Sequence, residues 1–511
     1  MAEQTNNKTI AKNTMFLYFR MMVTMVISLY TSRVILQILG VDDYGIYQAV
    51  GGIVGFMSFV NSALGTGTSR FITYGLGEGN IEKLKNIFST TLTGHIILAL
   101  IIVVIAETVG LWFLHHKMVI PPDRLNAALW TYHLSILTAF FSLTQVPYNA
   151  CIIAHEKMTI FAYVSIIESV LKLLIVYMLL IGKIDKLILY AFLLCLLQVG
   201  IIIFYRFYCY RYFSEARFKM KIEKGVFREI AGFSGWQLFA NGSIALNSQG
   251  ILILLNMFFS PAVVAARAIS LQVNMAANQF VNNFQTAANP QIVKLYAAKD
   301  YEGSKKLLLQ TTCFSFYLML LLSLPICLVA EELLQLWLGI VPEYTVVFLQ
   351  LIVIESLFHV FDVSFYRALY AKGQIRENAL ISPTMGFIMF PIVYLLFKVG
   401  CSPVSLSWAA LVVNILLGVV IKPILIIKIV DYTWNDIFSV FKPCLYVTLA
   451  SLPLPLAAYY WLNGNDSRVL SFCVITAVCV FSIACASWYL GMDKPMRQKV
   501  MEMVRKKLHK L

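Results

Sequence analysis

The sequence places basic residues inside five long apolar stretches, namely Arg20, Arg33, Arg70, Lys172 and Arg267. A cation at the centre of a membrane helix costs about 2.5–3.5 kcal/mol on insertion scales, so such residues usually face a cavity or a partner. The planar fork of arginine binds phosphate oxygens bidentately. The pattern therefore predicts a cationic, water-filled cavity that attracts a phosphate-bearing substrate, with Arg20 as its foremost ligand.

Each of the other cations has a structural alternative. Lys172 follows Glu168 by four residues, which is the spacing of an ion pair within one helix. Arg33 and Arg267 lie near helix ends, where arginine reaches the membrane surface or pairs with an acid. The acids considered for such a pair are Asp42 and Asp43. Arg70 would anchor the inner end of its helix.

Polar side chains follow single faces of three predicted helices. The longest face lies in residues 262–297 and comprises Asn274, Asn278, Asn282, Gln285 and Asn289. At 100° per residue this face is about 80° wide. Shorter faces comprise Ser234, Gln237, Asn241 and Ser248, and Ser58, Ser62, Ser69 and Thr73. Such faces line a cavity or join helices by hydrogen bonds. The longest one favours a cavity, in which amides bind sugar hydroxyls.

Acidic residues and a histidine share one face of residues 344–371. Glu355, His359, Asp362 and Tyr366 are spaced by four, three and four residues. Buried acids beside a histidine can bind a proton or a cation during transport, so we predict a coupling site for H⁺ or Na⁺. The alternative is an internally paired network that involves Arg367.

Composition identifies an integral membrane protein. Hydrophobic residues make up 59% of the 511 residues and charged residues 13%, whereas soluble domains carry about 25% charged residues. At ~20 apolar residues per span, the chain accommodates about fourteen helices. The predicted spans, numbered 1 to 14, are 14–39, 45–76, 87–113, 125–153, 160–182, 187–210, 230–257, 262–297, 307–330, 344–371, 378–397, 404–427, 443–462 and 469–490. Twelve spans are the alternative, because 378–397 contains Pro383 and Pro391.

The hydrophobic pattern nearly repeats after ~220 residues. The turn at 79–85 has a counterpart at 299–305, and Tyr148-Asn149-Ala150 has one in Tyr366-Arg367-Ala368. The fold class is thus predicted as all-α, with two pseudo-symmetric six-helix bundles and two extra C-terminal helices. The predicted domains are an N-lobe (1–226), a C-lobe (227–430) and a segment with spans 13 and 14 and a basic tail (431–511). Internal repeats of this kind occur in transporters.

Charge distribution predicts the topology. The net charge is +14, and basic residues concentrate in the tails and alternate loops, which places both termini in the cytoplasm. The charge therefore indicates topology and no nucleic-acid partner. Residues 496–511 form a predicted amphipathic basic helix that contacts membrane lipids. The ten cysteines lack metal-ligand spacing and are interpreted as packing residues.

Known catalytic patterns are missing from the sequence. It has no phosphate-binding glycine loop, Walker lysine, His-Glu-x-x-His motif or nucleophile elbow. We therefore expect no enzyme activity, no metal and no cofactor. Any energy source would be a gradient or the membrane potential.

The segments 29–47 and 260–269 carry a resemblance to a known family. A helix ending in Arg33-Val-Ile-Leu-Gln-Ile-Leu-Gly40, followed by Asp42-Asp-Tyr-Gly45, resembles the bacterial polysaccharide-repeat-unit flippases for O-antigen and capsule. These belong to the multidrug/oligosaccharidyl-lipid/polysaccharide exporter superfamily. The segment that begins Ser260-Pro261 and includes Arg267 looks like the second-half counterpart.

The resemblance implies a function and partners. It implies V-shaped bundles with helices 1, 2, 7 and 8 around a cavity, which move undecaprenyl-pyrophosphate-linked glycan from the inner to the outer leaflet of the bacterial cytoplasmic membrane. Partners would be that lipid-linked oligosaccharide, membrane lipids and the polysaccharide polymerase machinery. Alternatives are a lipid II flippase, a cation-coupled multidrug exporter of the same superfamily, and a membrane-bound glycan polymerase or ligase.

Overall fold

The computed structural model describes residues 2–501, except 57, 79, 156, 182–183, 375, 463–467, 493–496 and 499–500. Within helices, the side chains of 2–18, of 229–237 and of scattered positions such as Arg70 lie outside the described part. Most of the predicted basic tail also lies outside it. All regular secondary structure of the described residues is helical, which confirms the predicted fold class.

Every predicted span corresponds to a helix or to consecutive helical segments. The first seven spans are Ala2–Leu39; Val41–Phe56 with Ser58–Glu78; Ile81–Ile105, Ala106–Gly110 and Leu111–Lys117; Leu125–Ala154; Met158–Met178; Lys186–Tyr212; and Lys224–Ala245, Leu246–Gly250 and Ile251–Phe258. The segments Ala106–Gly110 and Leu246–Gly250 are π-helical. Short 3₁₀ turns cover Pro122–Arg124 and Ser214–Ala216.

The other seven spans follow the same pattern. They are Pro261–Ala297; Tyr301–Leu328; Thr345–Lys372; Arg376–Lys398; Ser405–Ile415, Leu416–Ile421 and Lys422–Val430; Trp434–Ser451 with Pro453–Leu462; and Arg468–Ala486 with Ser487–Gly491. A short helix, Ala330–Leu338, follows span 9. Leu416–Ile421 and Ser487–Gly491 are π-helical.

Eleven of the described helices are long and apolar enough to cross a membrane. They are spans 1, 3 to 6 and 9 to 14. The helices of spans 2, 7 and 8 do not meet the same criterion within the described residues. These three spans carry the predicted polar faces.

Local caps explain where several helices begin. The side chain of Asn80 accepts a hydrogen bond from the Lys83 N–H (3.0 Å), and that of Asp300 accepts one from the Gly303 N–H (2.9 Å). Each satisfies an amide that the first helical turn leaves without a partner. The two turns with matching sequences therefore start spans 3 and 9 in the same way. Between spans 1 and 2, Gly40 adopts φ +83°, a left-handed conformation that glycine tolerates.

The helices group into two compact units. Unit 1 comprises Met1–Ala268 and Gly386–Val399, and unit 2 comprises Ile269–Met385 and Gly400–Leu511. In unit 1, spans 2, 3, 4 and 6 enclose a core around Phe88, Tyr148 and Tyr205. In unit 2, spans 9, 10, 13 and 14 enclose a core around Phe365 and Cys479. The predicted lobe boundaries at 226 and 430 stay a prediction.

Candidate functional site

Arg20 lies in unit 1 on the side of span 1 that packs against span 5. Its Cζ atom is 4.8 Å from the centroid of the Phe161 ring. The side chain is half-buried, and its Nε atom is buried without a hydrogen-bond partner among the described residues. An aromatic face offsets part of the cost of burying a cation but accepts no directed N–H bond as an oxygen would. Arg20 therefore keeps donor capacity for an anionic ligand.

The other predicted cations of unit 1 have different surroundings. Arg267 is buried, with 3% of its surface exposed, and Arg33 is half-buried; both interact with neighbouring groups. Lys172 is exposed, and its Nζ atom is 2.6 Å from the Glu168 carboxylate one turn earlier. That is the ion pair expected from their spacing. The side chain of Arg70 lies outside the described residues.

Asp43 pairs with a residue that the sequence did not suggest. Arg124 is bonded to Asp43 at 2.6 Å and to Asp185 at 2.5 Å. Its guanidinium thereby joins the starts of spans 2, 4 and 6. The sequence suggested Arg33 and Arg267 as partners of Asp42 or Asp43, and Arg124 is a further partner of Asp43 that spacing along the chain did not indicate.

The two carboxylates of this cluster differ in their surroundings. Burial raises the pKa of Asp43 above its usual range, despite hydrogen bonds from Arg124. Burial also acts to raise the pKa of Asp185, but hydrogen bonds from Arg124 and from the Ile188 and Leu187 N–H groups outweigh it and lower that pKa. Asp185 also caps span 6 through these two N–H groups. The same arginine therefore contacts one acid whose pKa is raised and one whose pKa is lowered.

The amide face of span 8 is hydrogen-bonded to span 10 within unit 2. The Ser356 hydroxyl donates to Asn274 Oδ1 (2.6 Å). The Asn278 amide donates to Asn274 Oδ1 (2.9 Å) and to Ser356 Oγ (3.2 Å). These bonds join spans 8 and 10 and use the hydrogen-bonding groups of Asn274 and Asn278 within the protein. For these two residues the structure therefore agrees with the second interpretation of a polar face, namely helices joined by hydrogen bonds.

Gln285 continues this contact about two turns further along span 8. It is 1% exposed, donates to Ser364 Oγ (2.9 Å), and accepts from Arg367 through its backbone oxygen (3.0 Å) and Oε1 (3.2 Å). Asn282 is exposed. Asn289 Oδ1 is buried and has no hydrogen-bond partner among the described residues. The face thus has a part that is hydrogen-bonded to span 10, one exposed amide and one buried amide oxygen without a partner among the described residues.

The shorter polar faces are only partly described. Asn241 in span 7 is half-buried. Ser248 donates to the backbone oxygen of Ile244 (3.0 Å), and Thr73 donates to that of Ser69 (2.7 Å). These hydroxyls are satisfied by their own helices. The side chains of Ser234, Gln237, Ser58 and Ser62 lie outside the described residues.

The acidic face of span 10 is bonded to span 12. Glu355 Oε1 accepts from the Asn414 amide (2.9 Å). Asp362 Oδ1 is 2.7 Å from Lys422 Nζ, while Asp362 Oδ2 is 3.8 Å from His359 Nδ1. The partner of the acid is therefore Lys422 and not Arg367, which bonds to span 8.

Sequence reasoning missed Lys422. It is a lysine inside an apolar run, followed by Pro423 and placed eight residues after Asn414. That placement is the signal that could have identified it. The corresponding acids, Glu355 and Asp362, are only seven residues apart.

A π-helical segment explains the difference between seven and eight residues. Leu416–Ile421 lies between Asn414 and Lys422 and adds one residue to that stretch of span 12. In regular α-helix an eighth residue would turn Lys422 about 100° away from Asn414, and the wider π-helical turn absorbs that residue. Gly418 within it lies against span 10, where an added Cβ would be 2.4 Å from the Phe358 oxygen. The segment thereby keeps Lys422 on the same face as Asn414, toward span 10.

The two segments that carry the family resemblance touch each other. An added Cβ at Gly45 would lie 1.9 Å from the Pro261 backbone oxygen. No side chain fits there, so glycine is required for this close approach of spans 2 and 8. Both residues belong to unit 1.

Comparisons with known proteins agree with this architecture. The MatE family model matches residues 17–178. A structure titled lipid II flippase MurJ, inward closed conformation, has a TM-score of 0.70 at 10% identity and covers 93% of this chain and 98% of its own. An inward-facing multidrug resistance MATE family transporter of the MOP superfamily has a TM-score of 0.62 at 14% identity. The match covers 79% of this chain and 95% of that transporter.

A third similar structure is described as a MOP superfamily transporter from Pyrococcus furiosus with reversed polarity of its binding pocket. It has a TM-score of 0.59 at 14% identity and covers 83% of this chain and 97% of its own. Curated protein sequences give no significant match. The chain thus has the multi-pass fold of these transporters and flippases, and residues 17–178 match the MatE domain.

Proposed function

We propose that this chain is a flippase that moves undecaprenyl-pyrophosphate-linked oligosaccharide from the inner to the outer leaflet of the cytoplasmic membrane. It would serve O-antigen, capsule or exopolysaccharide synthesis by alternating access, with both termini in the cytoplasm. The observation that carries the proposal is Arg20, a half-buried cation whose Nε atom has no hydrogen-bond partner among the described residues. Such a group suits a diphosphate, whose passage through ~30 Å of hydrocarbon is otherwise prohibitive.

The extent of the fold match supports a lipid-linked cargo. The similarity to the lipid II flippase leaves 7% of the chain uncovered, fewer residues than spans 13 and 14 contain together. The match must therefore include part of these spans. A lipid II cargo itself is the second candidate, because its chemistry near the lipid is the same and only the glycan differs.

A multidrug exporter is the candidate that the MatE match favours. The sequence of spans 1 and 7 argues against a cationic cargo. Residues 14–39 contain two arginines and no acid, and 230–257 contain no acid. A cation-binding site on these helices would need a carboxylate as its partner. We therefore keep the lipid-linked anion as the proposed cargo.

The test is a leaflet assay in proteoliposomes that contain the purified chain and fluorescent lipid-linked cargo. Lipid-linked oligosaccharide, lipid II and a cationic dye are compared. We expect transport of the first, a loss of at least tenfold in Arg20→Ala, and partial recovery in Arg20→Lys, which keeps the charge and loses the fork. Transport of the dye alone would replace the proposal with drug export.

Arg206→Ala is the matched control. Arg206 is an arginine of the same unit that also lies over an aromatic ring, 5.8 Å from the Tyr148 centroid, but it is exposed. Its substitution should leave transport within about twofold of wild type. Full activity of a well-expressed Arg20→Ala protein would refute the role of Arg20.

A further inference from the structure

Lys422 occupies a site that three helices build around its ammonium group. The side chain is 2% exposed. Its Nζ atom is 2.7 Å from Asp362 Oδ1 in span 10, and it donates a hydrogen bond to Asn378 Oδ1 in span 11. The same atom lies 5.5 Å from the centroid of the Tyr366 ring. All four residues belong to unit 2.

These surroundings are those of a cation-binding site. A carboxylate and an amide oxygen are ligands for hard alkali and alkaline-earth ions, and an aromatic face attracts ammonium and alkali cations. A single carboxylate matches a single positive charge. The ligand set therefore suits a monovalent cation, and the protein itself provides that cation.

The geometry that brings Lys422 to this position is specific. If Leu416–Ile421 were regular α-helix with the same number of residues, the lysine would point about 100° away from this position. The contact of Gly418 with Phe358 holds the two helices close together. A tethered ammonium also has a high effective concentration, so free ions compete poorly with it.

We propose that Lys422 permanently occupies a monovalent-cation site formed by Asp362, Asn378 and Tyr366, and that unit 2 takes up no Na⁺ or K⁺ there. The consequence for energy coupling rests on the proposed transport function. A cation drives a conformational change only if it binds two states with different affinity and can leave one of them. A covalently attached cation cannot dissociate, so transport by this chain would not depend on Na⁺ through this site.

The test measures thermal unfolding of the purified full-length chain in NaCl, KCl or choline chloride at equal ionic strength. Wild type should show the same midpoint in all three salts. Lys422→Ala should unfold roughly 5 °C or more below wild type in choline chloride, because the carboxylate is left buried without a counter-charge. Na⁺, K⁺ or ethylammonium should then recover at least half of the loss by filling the vacated position.

Two further variants make the result specific. In the Lys422→Ala, Asp362→Asn double variant the negative charge is absent, so no salt should raise the midpoint above that in choline chloride. Lys428→Ala removes an exposed lysine from the last turn of the same span. It should behave like wild type in every salt.

Two results would overturn the proposal. The first is a Na⁺-specific stabilisation of wild type that Asp362→Asn abolishes, and it decides the matter even if Lys422→Ala does not fold. The second is a destabilised Lys422→Ala protein that no monovalent cation stabilises. Because these measurements need no cargo, a failed transport assay would refute the proposed function and leave the cation result unaffected.

Discussion

In unit 1 the guanidinium of Arg20 lies over the Phe161 ring, and its Nε atom has no hydrogen-bond partner among the described residues. In unit 2 the ammonium of Lys422 is enclosed by a carboxylate, an amide oxygen and a ring. Both are cations in apolar helices, so both cost free energy to bury. The first is only partly compensated and keeps capacity for a ligand. The second is compensated by its own chain. The comparison separates a cation retained for binding from one retained for structure.

The largest expected effect is on Lys422. Lys422→Met keeps the apolar stem and leaves Asp362 buried without its counter-charge, which should lower the free energy of unfolding by about 3–5 kcal/mol. Adding Asp362→Asn should restore most of this loss. Reversible unfolding in mixed detergent would measure both values. A loss of unfolding free energy below about 1 kcal/mol would show that the Lys422–Asp362 pair contributes little stability, and the contrast with Arg20 would then fail.

A smaller loss is expected at the contact between spans 8 and 10. Gln285→Ala removes the partners of Ser364 and Arg367 and should cost about 1–3 kcal/mol. Gln279→Ala is the control, because the Gln279 amide bonds to Asn283 on its own helix, and should cost less. If the two variants lose equal stability, the bonds between the helices add nothing to unit 2. Retained stability with lost transport would assign Gln285 to the cargo instead.

The acid cluster of unit 1 gives a prediction about pH. The pKa of Asp185 is lowered, so its stabilising contribution is present above about pH 4 and is lost as the pH falls through that lowered pKa. The pKa of Asp43 is raised, so its protonation on acidification acts in the opposite direction. Between pH 6 and 3 the thermal midpoint of Asp185→Asn should therefore fall less than that of Asp43→Asn. The reverse order would contradict this difference between the two acids.

The smallest stability effect is expected at Arg20. Arg20→Met removes a partly desolvated charge and one contact with a ring, so the free energy of unfolding should change by less than about 1 kcal/mol. Its transport should nevertheless fall at least as far as that of Arg20→Ala. A destabilisation comparable to that of Lys422→Met would make Arg20 a structural residue, and the contrast between the units would disappear.

The sequence predicted the helices well because hydropathy reports directly on membrane spans. All fourteen predicted spans coincide with helices, including 378–397 despite its two prolines. The π-helical segments were missed, because Leu416–Ile421 has the same apolar composition as ordinary helix. Periodicity also assumes 3.6 residues per turn, and one inserted residue breaks that assumption.

The candidate sites were predicted less completely, because pairing depends on the register between helices. The face shared by Glu355, His359 and Asp362 was visible from spacing, but its partners in span 12 were not. Likewise, the spacing of Asn274 and Asn278 fits both a cavity and a bonded interface, and only the position of Ser356 distinguishes the two for these residues. The ligand roles proposed for Arg20 and the other cations stay predictions.

The inserted residue of span 12 has a genetic consequence. Removing any one apolar codon from 415–421 would leave composition, charge and predicted topology unchanged. It would restore regular helix and leave the lysine seven residues after Asn414, the same spacing as Glu355 and Asp362, so that the lysine would still face Asp362. Conservative replacements in the same stretch would keep the count and hence the pairing. The segment should therefore tolerate many missense changes and the in-frame loss of one residue, whereas a change that forces all of its residues into regular α-helix would separate Lys422 from Asp362.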